Sequence, residues 1–328
     1  MERATNNQTG GIATLSAVTL DAKAPPTPAT IADRIKLALI NSVPLATLLA
    51  VVAFWLLAPR SFTTSEWSLV IVTSAITVFI LGLEFVLERH SGWRLTWKEF
   101  LTDLFYVILM ATVIGWLVES FADGPLGAAK DKLGLSTPWI LTLPLVVQAL
   151  MVVFLIEFGQ YWMHRWMHNW LPLWLTHAPH HHVTQLNAMK GAVGNPIELF
   201  LISLSVVALF DFDIVAIFCG LSMMTVISTF AHANVRSDPP LAYGFLFTTI
   251  RNHSLHHTAL SYEDTRCNYG NSVIVFDRIF GTYRDGESAI VGQDDRRRLS
   301  IYEQFMFPFQ PLLDRASAAR AKTADADG

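Results

Sequence analysis

The chain has 328 residues, of which 52% are hydrophobic and only 15% are charged, and its formal net charge is −4. A soluble globular protein usually carries about 25% charged residues, so this composition disfavours a soluble fold and indicates a membrane protein. The small net charge and the lack of a basic stripe argue against a nucleic-acid partner. Two cysteines are too few for a disulfide framework or a thiolate metal site.

Four regions are predicted along the chain. Residues 1–34 are polar, rich in Thr, Ala and Pro, and lack the apolar core of a signal peptide, which predicts a disordered cytosolic tail. Residues 35–138 hold the first transmembrane helices, and residues 139–285 carry the residues suited to catalysis. Residues 286–328 form a C-terminal tail, which we expect to be disordered after Arg315.

Apolar runs of about 20 residues are long enough to cross a bilayer as helices. Four such runs are found, at Ile35–Leu57, Trp67–Leu87, Phe100–Phe121 and Trp139–Phe158. The fourth is predicted to continue as a helix beyond the membrane, through the next dozen residues.

A longer apolar run, Ile197–Phe230, carries Asp211 and Asp213 in its middle. A single span would bury both carboxylates at a large cost, so we expect a hairpin of two short helices turning at Phe210–Asp213. The predicted fold is therefore all-α, an integral membrane helical bundle of six segments with a cytosolic, histidine-rich cap for two metals.

Lys and Arg residues near the ends of the spans set the expected orientation. The N-terminal flank and the loop after the second span each carry three of these cations, whereas the loop after the first span has only Arg60. The loop after the third span has Lys130 and Lys132, balanced by two aspartates. Both termini and the histidines are therefore expected in the cytosol, at the inner membrane if the cell is bacterial.

Ten of the eleven histidines fall between His164 and His257, and only His90 lies elsewhere. His164 and His168 are four residues apart, so on a helix they share one face. In the segments 177–181 and 253–257, a spacing of three is expected to select one face, while the adjacent histidine points about 100° away. One segment would then reach two metals.

Imidazole suits zinc, copper, iron and nickel. A single site takes about four protein ligands, so nine well-spaced histidines predict two metals. A zinc protease is disfavoured because Arg165 stands where His-Glu-x-x-His requires glutamate. A loose metal-buffering tract would show irregular spacing. A metal transporter or storage protein stays the alternative from another class, although a transporter should hold its ligands near the middle of its spans.

The ordered motifs of this region resemble the fatty acid hydroxylase and sterol desaturase superfamily of membrane di-iron enzymes. The matching segments are Tyr161-Trp-Met-His-Arg-Trp-Met-His168, His177-Ala-Pro-His-His181, Ala231-His-Ala-Asn234, Arg251-Asn-His-Ser-Leu-His-His257, Cys267-Asn-Tyr-Gly-Asn271 and Phe276-Asp-Arg-Ile-Phe-Gly-Thr-Tyr283. They identify residues 139–285 as a fatty acid hydroxylase-like catalytic domain that includes the membrane hairpin.

The resemblance implies two irons per chain, dioxygen as oxidant and a separate electron donor of the ferredoxin or cytochrome type. The residues that match the family's metal ligands are His164, His168, His177, His180, His181, His232, His253, His256 and His257. His182 adds a third consecutive histidine and is expected to stay outside the ligand set. Some members have a paired histidine where this chain has His232 and Asn234, so Asn234 is expected to bind through water or to orient a ligand.

The implied activity is hydroxylation of a C–H bond in a lipid, and desaturation at the same site remains an alternative. The candidate substrates are a fatty acyl chain, a sterol or a polar aminolipid such as ornithine lipid. No Gly-x-Gly-x-x-Gly motif and no fused haem domain is found, so the electrons must come from another protein.

Two further expectations concern residues around the histidines. Ligand imidazoles usually donate their second N–H to a partner, and Glu263, Asp264, Asn268 and Asp277 are candidates for that role. The aromatic segment Ile301–Leu313 either packs on the cytosolic domain as a strand or turn, or lies along the membrane surface near the substrate entrance.

Overall fold

The computed structural model describes residues 30–260, 265–293 and 296–315. Within them the regular structure is helical, and strand-like pairing is limited to two isolated bridges, Glu88–Val235 and Thr258–Val291. The all-α prediction is therefore confirmed, while the two predicted disordered tails lie mostly outside the described residues. The helices are α1 Ile31–Leu57, α2 Ser68–Val86, α3 Trp97–Lys132, α4 Leu145–Asn169, α5 Leu171–His181, α6 Pro196–Ile202, α7 Ile214–His232, α8 Leu241–Leu246, α9 Ile250–His256, α10 Val275–Ile279 and α11 Ile301–Met306.

Five helices, α1, α2, α3, α4 and α7, are long and apolar enough to cross a membrane. Helix α1 begins four residues earlier than expected because Thr30 and Asp33 cap each other reciprocally at its N-terminus. Helix α4 begins later than expected, after Pro144, since the preceding residues form a 3-10 turn. It runs on to Asn169, which confirms the predicted extension beyond the fourth apolar run.

The predicted hairpin is asymmetric in the structure. The chain turns where expected, and Asp213 caps α7 by accepting a hydrogen bond from the backbone N–H of Val215. The second arm, α7, has 19 residues and is long enough to span by itself. The first arm is the short helix α6 followed by a 3-10 turn, so the expectation of two short helices holds for the first arm and is wrong for α7.

Both aspartates of the turn lie at the end of the bundle opposite the histidines, where they meet cations. Arg60, after α1, pairs with Asp213 at 3.0 Å, and Lys130, near the end of α3, pairs with Asp211. These pairings explain how two carboxylates are accommodated in an apolar run.

Helix α7 is the central helix. Of the residues in its apolar stretch, 67% are buried inside the protein, compared with 11% for α1. It packs against α1, α2 and α4. Trp55 of α1 donates a hydrogen bond to the hydroxyl of Ser222 at 3.0 Å. Gly220 allows α7 to approach α4 closely, because a Cβ there would lie 2.9 Å from the carbonyl oxygen of Ala149.

The chain enters and leaves the bundle at the histidine end. Near the start of α1, the backbone carbonyl of Ile40 accepts a hydrogen bond from the Ser237 hydroxyl, five residues after His232. Helix α11 lies at the same end, where the Asn195 amide donates to the backbone carbonyls of Gln304 and Phe305. The N-terminus of α1 and the C-terminal segment are thus on one side of the predicted membrane.

A buried ion cluster lies at the histidine end of α3. Lys190 and Asp103 are 2% and 0% exposed, and Lys190 Nζ lies 2.6 Å from the Asp103 carboxylate. Glu99 pairs with both Lys190 and Arg298. The two positive and two negative charges balance, and together they fix the loop that begins after α5 and ends before α6.

Candidate di-metal centre

Four helix ends bring the nine predicted histidines together. The last turns of α4 and α7 supply His164, His168 and His232, while α5 and α9 supply the clustered histidines. All nine side chains are at most 7% exposed. They form two groups in which the ligand nitrogens lie within 4.8 Å of one another: His164, His168, His177, His181 and His256 in group one, and His180, His232, His253 and His257 in group two.

Within group one, the Nε2 atom of His177 is central. It lies 3.0 Å from Nε2 of His164, 3.1 Å from that of His168 and 3.0 Å from that of His181. In group two, Nε2 of His253 lies 2.8 Å from that of His232 and 3.1 Å from that of His257. Bonds of about 2.1 Å from one metal ion would place adjacent ligand nitrogens at about these separations.

Helices α5 and α9 each contribute to both groups, as the sequence spacing predicted. The residues that share a group are four apart, however, and not three apart: His177 goes with His181 and His253 with His257. The expectation that a spacing of three selects one face is therefore wrong. At 100° per residue, positions four apart differ by about 40° around the helix, whereas positions three apart differ by about 60°.

The backbone determines which ring nitrogen carries the proton in four of the nine. Nδ1 of His164 donates to the carbonyl of Tyr269 at 2.7 Å, and Nδ1 of His256 donates to that of Cys267 at 2.7 Å. The carbonyls of Val193 and Ser228 accept from the corresponding nitrogens in group two. Because a carbonyl only accepts, each neutral ring must present an unprotonated Nε2 to its group.

Each group therefore directs several unprotonated ring nitrogens into one buried space. A bound cation would stabilise this arrangement by accepting their lone pairs. Burial lowers the pKa of His177 to about 3, and it holds the pKa values of His181, His256 and His257 well below the ordinary value. These rings are neutral at pH 7. Nε2 of His256 is buried and has no hydrogen-bond partner within the described part of the chain. A metal ion would satisfy all of these nitrogens at once, so the residues present fit one in each group.

Glu198 is a functional candidate that sequence reasoning missed. Its Oε1 accepts a hydrogen bond from Nδ1 of His177 at 2.6 Å, and its Oε2 accepts from the backbone N–H of Asn195. Burial raises the pKa of Glu198 to about 8, a cost that a nearby metal cation would offset. The available signal was a capping pattern, Asn195 followed three residues later by Glu198, in an apolar run that we assigned to the membrane hairpin.

Asp277 and Asn268 support the ligands indirectly. Asp277 accepts the backbone N–H groups of Tyr269 and Gly270 at 2.8 and 2.7 Å, and so fixes the loop whose carbonyls accept from His164 and His256. Asn268 braces the same loop in a left-handed conformation with φ of 53°. The other two candidates, Glu263 and Asp264, lie outside the described residues.

Three polar residues near the centre do not join either group. The His182 ring contacts Phe307, and the His90 ring packs on Trp93 and binds Glu287 through Nε2 at 2.7 Å. The amide of Asn234 pairs with the backbone of His90. Asn234 therefore anchors the loop after α2, and its hydrogen bonds within the described part of the chain are with His90 and Glu84 and the backbone of Arg89.

The aromatic C-terminal segment is a short helix and not the strand or turn considered from the sequence. Besides its contact with Asn195, it places Phe305 against Tyr106 of α3, with ring centroids 6.4 Å apart. Tyr302 and Leu312 point outward, 72% and 62% exposed. One face of the segment thus packs on the protein, and the other is free to lie along a membrane surface.

A cavity of about 340 Å³ adjoins group two on its membrane side. Its walls are α2, α3, α7 and the loop that contains Gly191. A Cβ on Gly191 would lie 3.3 Å from the His232 ring, so this part of the cavity wall packs directly against a group-two imidazole. Ala111 of α3 lines the cavity and is exposed, which opens it between α2 and α3 toward the predicted bilayer. Helix α3 forms a π turn at Met110–Ile114, a feature often found at functional sites.

Comparison with known proteins agrees with this geometry. The profile of the fatty acid hydroxylase family matches residues 149–282, which include all nine histidines. The ornithine lipid hydroxylase OlsE of Rhizobium tropici is 27% identical over 235 residues, covering 67% of each chain. No solved structure matches the chain. The order of the motifs, the family match over residues 149–282 and the similarity to OlsE together show that the histidine-bearing part of the chain is similar to the fatty acid hydroxylase family.

Proposed function

We propose that this protein is a membrane monooxygenase that uses dioxygen and two irons to hydroxylate a C–H bond of a lipid. The observation that carries the proposal is the pair of buried groups, of five and four neutral imidazoles, one of which lies beside a cavity that opens toward the predicted bilayer. Iron bound there would supply the oxidising chemistry, because iron changes oxidation state and zinc does not.

The chain's own residues have three roles in this proposal. The nine histidines hold the metals, five in group one and four in group two. Glu198 and the carbonyls of Tyr269 and Cys267 fix the orientation of ligand rings through Nδ1. The burial of all nine histidines limits the access of water, so that the oxidising power is directed at the lipid.

The substrate is proposed to enter sideways from the membrane. The cavity between α2 and α3 leads from the bilayer to Gly191, which packs against His232, and group two has one histidine fewer than group one. Group two therefore has more room for a substrate, and it is the group that the cavity meets. The similarity to an ornithine lipid hydroxylase supports a polar lipid as substrate.

Electrons are proposed to arrive from a separate ferredoxin- or cytochrome-type carrier on the opposite side of the centre. A recess of about 510 Å³ reaches His168 there. The Trp174 ring lies 5.2 Å from His168 and 5.5 Å from His181, and the neighbouring Trp170 is 60% exposed. These aromatic rings connect the surface with two ligands of group one.

The metal-transporter alternative is disfavoured by the position of the groups. A transporter holds its ligands near the middle of its spans, between two gates. Here His164 and His168 are in the last two turns of α4, and His232 is the last residue of α7.

Labelled dioxygen tests the reaction. Purified protein loaded with iron is expected to contain about two irons per chain and, with an electron donor, to place one labelled oxygen atom in the lipid. Mass spectrometry of the lipid reads the result. A new double bond without label would identify a desaturase instead. Full activity with zinc alone would contradict the proposal.

Orientation is proposed to follow the Lys and Arg bias, with the histidine end in the cytosol. Reporter fusions before Thr30 and after Arg315 are expected to give cytosolic signals at both positions. Signals from the outer side at both positions would contradict the orientation alone. Signals from opposite sides would contradict the fold, because α1 and α11 meet the same end of the bundle.

A further inference from the structure

The cavity beside group two has an uncharged wall. None of the described residues that line it is Lys, Arg, Asp or Glu. A carboxylate or an ammonium group inside would therefore lose its water without gaining a counter-charge, which is strongly unfavourable. The cavity thus suits a neutral ligand group.

Three hydroxyl groups on the wall donate within their own helix and can accept a hydrogen bond from a ligand. The hydroxyl of Thr73 donates to the carbonyl of Leu69, and that of Thr77 donates to the carbonyl of Thr73. The hydroxyl of Thr225 donates to the carbonyl of Leu221 at 2.9 Å. Since a hydroxyl has one proton, each of these oxygens has only lone pairs left for the cavity.

Three other polar groups on the wall are not committed in this way. The side chains of Ser228, Thr229 and Asn271 line the cavity and have no hydrogen-bond partner among residues 30–260, 265–293 and 296–315. Ser228 and Thr229 lie about one helical turn before His232, so their hydroxyls are next to group two. They are able to donate to a ligand carbonyl.

We propose that this cavity binds an uncharged secondary amide of a lipid. Such an amide has one N–H to donate to the acceptor hydroxyls and one carbonyl to accept from Ser228, Thr229 or Asn271. The volume is near the lower end for ligand sites, so part of the lipid enters and its ionic headgroup stays outside. The inference rests on the proposed function, and it places the oxidised carbon close to the amide rather than at the far end of an acyl chain.

Binding of three matched probes tests the amide preference. N-methyloctanamide, methyl octanoate and octanoate are titrated by calorimetry into iron-loaded protein in nanodiscs, with empty nanodiscs as the blank. The amide is expected to bind up to about tenfold more tightly than the ester, which lacks the N–H. Octanoate is expected to bind most weakly because its charge has no partner. Equal affinity for amide and ester, or tighter binding of octanoate, would overturn the inference.

Two variants test whether hydroxyl groups of the cavity wall cause the preference for the amide over the ester. Thr77→Val and Thr225→Val each remove a hydroxyl that accepts from the ligand N–H, and they are expected to reduce the preference for the amide several-fold without loss of iron. Thr112→Val is the matched control, because Thr112 also donates to its own helix but is exposed and does not line the cavity. A full preference retained in both wall variants would contradict the assignment.

The binding experiment tests the cavity assignment and the labelled-dioxygen experiment tests the proposed function, so either proposal can be contradicted without the other. Amide preference in a protein that incorporates no label would contradict the proposed function and leave the cavity assignment standing. Label incorporated into a lipid by a protein with no amide preference would contradict only the cavity assignment.

Discussion

Replacing His168 or His256 with Ala is expected to lower the bound iron from about two to about one per chain and to abolish lipid turnover. Both side chains are fully buried members of group one, where the nitrogens converge within 4.8 Å. Removing one leaves an incomplete coordination sphere around the metal of group one. Oxidation of an unactivated C–H bond needs both irons in the proposed reaction, so turnover disappears while group two keeps its metal.

Elemental analysis and labelled-lipid mass spectrometry on the same preparations measure the two effects. His182→Ala is the matched control, because His182 follows His181 directly but contacts Phe307 and belongs to neither group. It is expected to retain its iron. If His182→Ala lost as much iron as His168→Ala, the division into two groups would be refuted. A His253→Ala variant should show the reverse pattern, with loss of iron from group two.

Lys190→Ala is expected to lower the free energy of unfolding by about 3–5 kcal/mol. Lys190 and Asp103 are 2% and 0% exposed, so the variant leaves a carboxylate buried without its counter-charge. The loop that follows Lys190 carries Gly191 and the Val193 carbonyl, which accepts from Nδ1 of His180. Destabilising this loop should therefore also weaken metal binding in group two.

Denaturant titration monitored by tryptophan fluorescence measures the loss of stability. Arg60→Ala is the control at the opposite end, because the Arg60 side chain is 64% exposed and its pair with Asp213 should contribute less than about 1 kcal/mol. The double variant Lys190→Met with Asp103→Asn removes one charge of each sign and leaves Glu99 paired with Arg298. It should recover most of the stability. A single Lys190→Ala variant as stable as the parent would show that the cluster does not hold the loop.

The sequence by itself determined the class of the protein and the identity of its histidines. Apolar runs report directly on helices that cross a bilayer, since length and hydropathy are local properties. The runs that became α1, α2 and α3 were located to within a few residues at most ends. The nine histidines could be named as candidate ligands because they match the motifs of a known family, while their number and spacing indicated two metals.

What the tertiary structure decided was how distant segments meet. The division into groups of five and four, with partners four residues apart, depends on how α4, α5, α7 and α9 cross. The carbonyls that set the ring orientation belong to a loop about 100 residues after His164, and no local pattern predicts that contact. Glu198 was hidden because its apolar neighbours suggested a membrane segment, whereas the chain bends and places it beside His177.

Local sequence patterns could not predict the cavity or the buried ion cluster either, because both depend on contacts between distant segments. Thr77, Ser228 and Ala111 come from three different helices, and each looks like an ordinary residue of an apolar span. Lys190 and Asp103 are 87 residues apart, and a lone lysine in a loop is normally solvated. Hydropathy and spacing act within one segment, but cavities and ion clusters arise only where segments pack. The sequence therefore indicated a class of metal-binding membrane proteins, and the packing decided how the histidines are grouped and where a cavity lies beside them.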